Sequence, residues 1–232
     1  EGAGYRAGDN DVLGSLLRQK LRDEDISHKY FPAYASGANT IASEKEYLCG
    51  YYVSYYKSTK CIPNVLANKG WNSYYYHAND LYFYKRKGIM PKIGFMKLIS
   101  AKESTVNPIE FLQICIRRRF CAPADSTIVR ELIGNILLEP DANSFHFFMT
   151  IDTHGPHPRA IGEKSSSYPI SYLASLDKAT DLIINSISEL FEDNLGLNIK
   201  VLVTADHPSI IANSLSSQKL TSLLHIYNKP SK

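Results

Sequence analysis

Three short apolar runs predict strands, and the stretches between them carry helical periodicity. The runs cover residues 73–77, 145–151 and 199–205, and continuous apolar character of this kind is typical of strands buried on both faces of a sheet. Apolar residues recur every three or four positions in three segments, which predicts helices over residues 10–21, 125–138 and about 171–191. Strands that alternate with helices predict an α/β fold, with a mainly parallel central sheet flanked by helices on both faces. Since no repeat or linker divides residues 1–232, we expect a single domain.

Composition and charge exclude several classes of protein. The apolar fraction of 44% and the charged fraction of 21% are ordinary for a globular chain, and a net charge of +3 is too small to indicate a nucleic-acid partner. No apolar run reaches the about 18–20 residues of a membrane span, and the first residues have no signal-peptide pattern. The start, Glu1-Gly2-Ala3-Gly4, lacks a methionine, so we interpret it as an internal cut.

The cysteine count leaves two interpretations open. Four cysteines stand at positions 49, 61, 115 and 121, and no C-x-x-C motif occurs. The pairs Cys49/Cys61 and Cys115/Cys121 would close two short loops in an oxidising compartment. Four reduced thiols are the alternative.

Ionisable residues follow each of the three predicted strands. His77 ends the first, Asp152 and His154 follow the second, and Asp206-His207 follows the third. In open α/β sheets, ligands bind at the carboxyl ends of the strands, so this pattern predicts a shared polar site. A carboxylate beside an imidazole suits Zn²⁺ or Mn²⁺ better than Mg²⁺ or Ca²⁺. The alternative is an aspartate that caps a turn beside a histidine exposed to water.

Hydroxyl side chains precede a predicted helix that begins near Ile41. Ser36 and Thr40 lie at its start, where backbone N–H groups and the positive end of the helix dipole favour a phosphate or an alkoxide. The alternative is that these residues are ordinary helix caps.

The order of these motifs resembles the alkaline phosphatase/sulfatase superfamily. The matching pieces are Thr40-x-x-x-Glu44, His77 with Tyr84-Lys85-Arg86, Thr153-His154-Gly155-Pro156, and Asp206-His207. Within the superfamily the chain is most similar to membrane-anchored phosphotransferases: lipoteichoic acid synthases, phosphoglycerol transferases and phosphoethanolamine transferases. The resemblance implies a sulfatase-type catalytic domain on the periplasmic or extracellular face of a bacterial membrane. It also implies that the first strand and the membrane anchor of the parent protein lie outside this chain.

The resemblance implies a role for each matched residue. Thr40 would be the nucleophile, and His154 would contact the transferred phosphate or protonate the leaving oxygen. Substrate binding is implied for four residues: Arg86, Tyr84, His157 and His77. One divalent metal is implied, Zn²⁺ or Mn²⁺ in preference to Mg²⁺, with four ligands: Glu1, Thr40, Asp206 and His207.

The implied reaction is transfer of a phosphoglycerol or phosphoethanolamine headgroup from a phospholipid to an envelope glycan or lipid-glycan. A phosphodiesterase, phosphatase or sulfatase-like hydrolase is the first alternative, and a non-catalytic binding module is the second. Two departures from the family pattern are Pro208 after Asp206-His207 and the basic run Lys85-Arg86-Lys87. Sulfatases that modify a cysteine resemble C-x-P-x-R, and residues 61–65 lack that arginine. We therefore interpret Cys61 as a disulfide or core residue.

Overall fold

The structure, a computed structural model, describes residues 6–7, 10–34, 40–50, 60–100, 125–151, 168–192, 198–204 and 220–227. Its strands are β1 (Arg6–Ala7), β2 (Asn10–Asp11), β3 (His28–Tyr34), β4 (Asn72–His77), β5 (Lys97–Ser100), β6 (Ser144–Met149), β7 (Lys200–Thr204) and β8 (Leu220–Tyr227). Its α-helices are α1 (Val12–Asp23), α2 (Thr40–Cys49), α3 (Ile62–Ala67), α4 (Arg86–Ile89), α5 (Asp125–Leu138) and α6 (Tyr168–Glu192). Short 3₁₀ turns cover Phe83–Lys85 and Met90–Ile93.

The predicted helices are confirmed, and so is the start of a helix near residue 41. Among the helices in the described ranges, none has both the length and the apolar character that a membrane span needs. Backbone contacts divide the chain into two compact units, here named the central unit (residues 48–179) and the terminal unit (residues 1–47 with 180–232). That the chain is a single domain stays a prediction.

The sheet of the central unit is parallel, which confirms the predicted α/β class. Its strand order is β5-β4-β6, and β4 pairs in parallel with both neighbours. Residues Ser73 to His77 are buried, as the apolar run predicted for a strand covered on both faces. Alternation of side chains places Tyr74 and Tyr76 on one face of β4 and Tyr75 on the other.

A separate apolar cluster covers each face of β4. On one face, Tyr74 and Tyr76 pack with Ile128 of α5, whose apolar stripe was predicted from its spacing. On the other face, Tyr75 packs with seven buried residues: Leu48, Cys49, Cys61, Leu81, Met90, Ile93 and Phe95. The strand therefore lies between two apolar layers, and its carboxyl end carries the polar side chain of His77.

The terminal unit contains an antiparallel sheet. Its strand order is β3-β8-β7, with both pairings antiparallel. Leu17 and Leu21 of α1 cluster with two isoleucines of α6, and Val201 and Val203 of β7 pack against this cluster. The sequence predicted that residues 199–205 are buried on both faces, but Leu202 is 64% exposed. The prediction failed because alternate residues of a strand point to opposite faces, and among the described residues it is the Val201/Val203 face that packs against helices.

Candidate functional site

The structure describes four of the predicted site residues: Thr40, His77, Tyr84 and Arg86. Thr40 belongs to the terminal unit, and the other three belong to the central unit. The remaining predicted residues, together with Ser36 as the second hydroxyl candidate, lie outside the described ranges: Glu1, His154, His157, Asp206 and His207.

The carboxyl ends of β4 and β6 lie side by side. The parallel register pairs His77 with Met149, the last residue of each strand. Parallel strands end at the same edge of a sheet, so His77 lies at the edge where β6 also ends. The polar residues that follow β6 lie outside the described residues, so their sharing this edge with His77 stays a prediction.

His77 and Arg86 form a hydrogen-bonded pair inside the central unit. Arg86 Nη1 lies 3.2 Å from His77 Nε2, and His77 Nδ1 lies 3.1 Å from the carbonyl oxygen of Met149. Each of the two side chains is 1% exposed. A buried guanidinium in contact with an imidazole is uncommon in a core, since charged groups are rarely buried fully without a reason. Two residues for which the resemblance implied substrate binding are therefore neighbours in space, while that role stays a prediction.

An unusual backbone turn directs Arg86 into the core. Tyr84 has φ 55° and ψ 22°, and Lys85, which immediately precedes α4, has φ 57° and ψ 25°. Two consecutive non-glycine residues in the left-handed region cost about 1–3 kcal/mol each, and such strain concentrates at functional sites. The reversal returns the chain so that the next residue, Arg86, points back toward β4.

Aromatic rings lie over the guanidinium of Arg86. Its Cζ atom is 5.1 Å from the centre of the Tyr84 ring and 5.9 Å from that of Phe83, within the range of cation–π contacts. Tyr84 is 40% exposed. Arg86 is almost completely buried, and Tyr84 is the exposed part of the aromatic cover over its guanidinium.

Thr40 is the first residue of α2, and its role as the nucleophile stays a prediction. Its side chain is half-buried, and both Ser43 and Glu44 in the next turn are fully buried at 0% exposure. Residues 40 and 44 share one side of the helix, which is the spacing of the Thr40-x-x-x-Glu44 motif. The hydroxyl of Thr40 therefore stands at the positive end of a ten-residue helix.

A side-chain hydrogen bond joins α2 to the end of β7. Thr204 Oγ1 donates to Tyr47 Oη at 3.2 Å. Thr204 is the last residue of β7 and precedes Asp206 by two positions. The helix that begins with Thr40 thus contacts the strand end from which the predicted metal ligands continue.

Sequence reasoning missed Asp125. This residue is completely buried at the start of α5, and its two carboxylate oxygens accept hydrogen bonds from the backbone N–H of Ile151 at 2.9 and 3.0 Å. It fixes the chain one residue before Asp152. An aspartate at the start of a helix is the usual capping choice, so nothing in the sequence distinguished it.

Comparison with protein families decides the affiliation of the chain. The family model described as "Sulfatase" matches residues 19–227. The chain belongs to the sulfatase family. The predicted superfamily resemblance is thereby confirmed. The chain also matches a curated protein, the capsular polysaccharide biosynthesis protein RkpI of Rhizobium meliloti (strain 1021). That match is 27% identical over 133 residues and covers 55% of this chain and 23% of RkpI, so the chain spans less than a quarter of that relative.

Solved structures share the fold of the sulfatase-family chain. The lipoteichoic acid synthase LtaP from Listeria monocytogenes has a TM-score of 0.70 and 15% identity, over 95% of this chain and 61% of that one. The phosphoglycerol transferase GacH from Streptococcus pyogenes, in complex with sn-glycerol-1-phosphate, has a TM-score of 0.58 and 15% identity, over 96% and 63%. The C-terminal periplasmic domain of EcEptC from Escherichia coli, a zinc complex, has a TM-score of 0.59 and 10% identity, over 98% and 68%. At these identities the similarity shows the fold alone.

The donor atoms of the predicted ligands fit a divalent metal. Two carboxylates, an imidazole and a hydroxyl form a mixed oxygen and nitrogen set that suits Zn²⁺ or Mn²⁺. In the part of the sulfatase-family chain that the structure describes, no three His, Cys, Asp or Glu side chains gather into a metal-binding group. Of the four ligands only Thr40 lies in that part, and its helix contacts the end of β7.

The cysteine-modifying type of sulfatase does not fit this member of the sulfatase family. Cys61 is completely buried and is joined to Cys49 by a disulfide bond, which confirms the first of the two predicted pairings. A cysteine in a disulfide is not available as a nucleophile precursor. Cys115 and Cys121 lie outside the described residues.

Proposed function

We propose that this domain is a metal-dependent phosphotransferase that moves a phosphoglycerol or phosphoethanolamine headgroup from a phospholipid to an envelope glycan or lipid-glycan. The observation that carries the proposal is the buried His77–Arg86 pair at the carboxyl end of β4, beneath the ring of Tyr84. A planar guanidinium held in one orientation suits the paired oxygens of a phosphate. The fold shared with a lipoteichoic acid synthase and a phosphoglycerol transferase supports the class of reaction.

In the proposed reaction, Thr40 Oγ attacks the headgroup phosphorus, and the bond from phosphorus to the lipid oxygen breaks. His154 donates a proton to that leaving oxygen, with His157 as the second candidate. The headgroup phosphate stays on Thr40 until an acceptor hydroxyl attacks the phosphorus. The acceptor gives its proton to His154 and displaces Thr40 Oγ as the alkoxide with which the cycle began, so the enzyme returns to its starting state. The helix N-terminus favours the negative charge that develops at Thr40 Oγ.

The other residues bind and orient the substrate in this proposal. Arg86 binds the phosphoryl oxygens, while Tyr84 and His77 line the headgroup pocket, so most of the catalysis is positioning and electrostatic stabilisation. A divalent ion held by Glu1, Thr40, Asp206 and His207 would supply charge that stabilises the alkoxide and the phosphoryl oxygens.

We place the reaction at the periplasmic or extracellular face of a bacterial cytoplasmic membrane. The Cys49–Cys61 disulfide is typical of an oxidising compartment, and one structural neighbour is a periplasmic domain. The proposed partners are a phospholipid donor, a glycan or lipid-glycan acceptor, and a membrane reached through an anchor elsewhere in the parent protein. Nucleic acid is not among them.

Replacing Thr40 tests the proposal. With manganese or zinc present and a phospholipid labelled in its headgroup, Thr40→Ala is expected to lower transfer by more than about a thousandfold, as loss of a nucleophile does. Thr40→Ser keeps a hydroxyl and should keep part of the activity. Headgroup-protein adduct should accumulate on the parent chain and be absent from the alanine variant, as measured by mass spectrometry.

Ser43→Ala is the matched control one turn further along α2. The buried Ser43 Oγ has no hydrogen-bond partner in the described structure, so its removal should leave transfer unchanged. If Thr40→Ala turns over near the parent level, Thr40 is not the nucleophile and Ser36 becomes the candidate. Release of the headgroup to water, with no transfer to any sugar acceptor, would favour the hydrolase alternative.

A further inference from the structure

We infer that His77 is a positioning residue, whose neutral imidazole accepts a hydrogen bond from Arg86 and fixes the orientation of its guanidinium. This role is additional to lining the headgroup pocket, which the proposed function assigns to His77. Its catalytic consequence rests on the proposed function, whereas the hydrogen-bonded arrangement itself does not.

The two hydrogen bonds of His77 determine its protonation state. A carbonyl oxygen only accepts, so the contact of 3.1 Å with Met149 requires a proton on His77 Nδ1. A guanidinium only donates, so the contact of 3.2 Å with Arg86 Nη1 requires a lone pair on His77 Nε2. A single tautomer, neutral with its proton on Nδ1, satisfies both bonds. In that state His77 cannot donate a proton from Nε2, which is the nitrogen that faces Arg86.

The parallel sheet fixes the imidazole itself. Met149 pairs with His77 in the β4–β6 register, so the accepting carbonyl belongs to the neighbouring strand end. The Tyr75 ring meets the imidazole edge-on, with centroids 6.4 Å apart. Because a histidine that donates through Nδ1 to a backbone carbonyl has its ring plane and tautomer set, Nε2 presents a fixed lone pair to Arg86.

Arg86 is held from several directions as a result. Nη1 also lies 3.5 Å from the carbonyl oxygen of Phe83, and the Tyr84 ring covers Cζ at 5.1 Å. An arginine side chain has many rotamers, and binding a phosphate would otherwise require ordering them in each catalytic cycle. Preorganised donors act strongly on developing charge because they do not reorganise during the reaction.

Two amide replacements separate the positioning role from simple packing. In His77→Gln the amide oxygen can reach the Nε2 position and accept from Arg86, while in His77→Asn the amide nitrogen can replace Nδ1 at Met149 but no acceptor reaches Arg86. We expect His77→Asn to lose about 100-fold in kcat/KM, the size of effect that misplacement of a positioned group produces. His77→Gln should stay within about tenfold of the parent, the scale of one weakened hydrogen bond. Equal losses in both variants would overturn the inference.

Two measurements on the full chain test the arrangement without relying on turnover. Nitrogen-15 NMR of labelled histidine at neutral pH should show His77 with a protonated Nδ1 and an unprotonated Nε2; protonation at Nε2 would overturn the inference. Binding of inorganic phosphate by calorimetry should weaken in His77→Asn and be retained in His77→Gln. If the parent chain neither transfers nor hydrolyses a headgroup while the tautomer is as stated, the proposed function fails and the positioning of Arg86 stands.

Discussion

His146 is a half-buried polar residue on the face of the sheet away from His77. Its Nδ1 lies 3.0 Å from Tyr76 Oη and its Nε2 lies 2.9 Å from Ser144 Oγ, while its ring stacks on Tyr74 with centroids 4.9 Å apart. Burial lowers the pKa of His146 to about 4 and raises the pKa of Tyr76 above its usual value. Both groups therefore stay neutral in the folded protein at neutral pH.

The depressed pKa of His146 predicts a loss of stability in mild acid. In the unfolded chain an ordinary histidine takes up a proton near pH 6.5, whereas folded His146 does so only near pH 4, so the unfolded state binds more protons between these values. Stability is complete above the unfolded pKa and falls as the pH decreases toward the folded one. We expect this residue to lower the free energy of unfolding by about 2–3 kcal/mol between pH 7.5 and 4.5.

Urea unfolding of the parent chain and of His146→Phe at both pH values measures this contribution. Phenylalanine keeps a ring against Tyr74 and cannot titrate, so the difference between the two proteins cancels the effect of other groups. The variant should lose less stability on acidification than the parent. An identical pH dependence in both proteins would show that His146 does not carry it.

At the scale of elements, a disulfide joins two helices of the chain. Cys49 ends α2 and Cys61 precedes α3 as its N-cap, and both sulfur atoms lie in the apolar cluster that covers Tyr75. Gly94, which ends the 3₁₀ turn Met90–Ile93, lets that turn approach α3 closely, since a Cβ atom at position 94 would stand 2.4 Å from the backbone nitrogen of Asn64. The disulfide therefore cross-links two parts of the apolar layer of the central unit that are 12 residues apart in sequence.

Reduction of this disulfide should destabilise the fold. Closing a loop of this length removes entropy from the unfolded chain worth about 3 kcal/mol, and the reduced protein should lose stability of that order. Thermal unfolding with and without a reductant measures the effect. The Cys49→Ala/Cys61→Ala protein should no longer respond to reductant, whereas Cys115→Ala/Cys121→Ala should respond as the parent does. If the response to reductant disappeared only in the Cys115→Ala/Cys121→Ala protein, the stabilisation would belong to that pair and not to Cys49–Cys61.

At the scale of the whole molecule, the two compact units hold different parts of the proposed chemistry. Thr40, Asp206 and His207 belong to the terminal unit, and Arg86, His77 and His154 belong to the central unit. The proposed metal ligands thus belong to the same unit as the nucleophile, whereas the proposed phosphate-binding residues belong to the central unit. This division predicts that metal binding and phosphate binding respond to different substitutions.

We expect the purified chain to bind about one Zn²⁺ or Mn²⁺ ion, because its donor set provides the four ligands of a tetrahedral site. Asp206→Ala and His207→Ala should each lower the bound metal in elemental analysis after saturation and dialysis. Arg86→Ala should retain the metal while losing inorganic phosphate binding. Asp152→Ala, which removes a carboxylate after another strand, is the matched control and should retain both. Metal retained in full by the two ligand variants would place the ion elsewhere.

Local pattern was sufficient to predict several elements, and it named the candidates His77 and Arg86 that the structure brings into contact. The spacing of Ile128, Leu132 and Ile136 identified α5, and the apolar run ending at His77 identified β4, because burial on one or both faces leaves a pattern in the sequence. The sequence pattern did not predict β3, an edge strand of the described sheet that contains Pro32, a residue unusual in strands. It also did not predict the pairing of β3 with the distant β8. Strand pairing across most of the chain leaves no local signal.

The sequence by itself determined the family, the α/β class and the identity of Thr40, His77, Tyr84 and Arg86 as candidates, since these follow from residue types and their order. Only the tertiary structure decided that Arg86 points into the core and bonds to His77, because the reversal depends on left-handed conformations at two residues that do not usually adopt them. Only the register of β4 with β6 placed the Met149 carbonyl against the imidazole and so set its tautomer. Residue order specifies which groups are present, whereas hydrogen-bond geometry between distant segments specifies the protonation state in which they act.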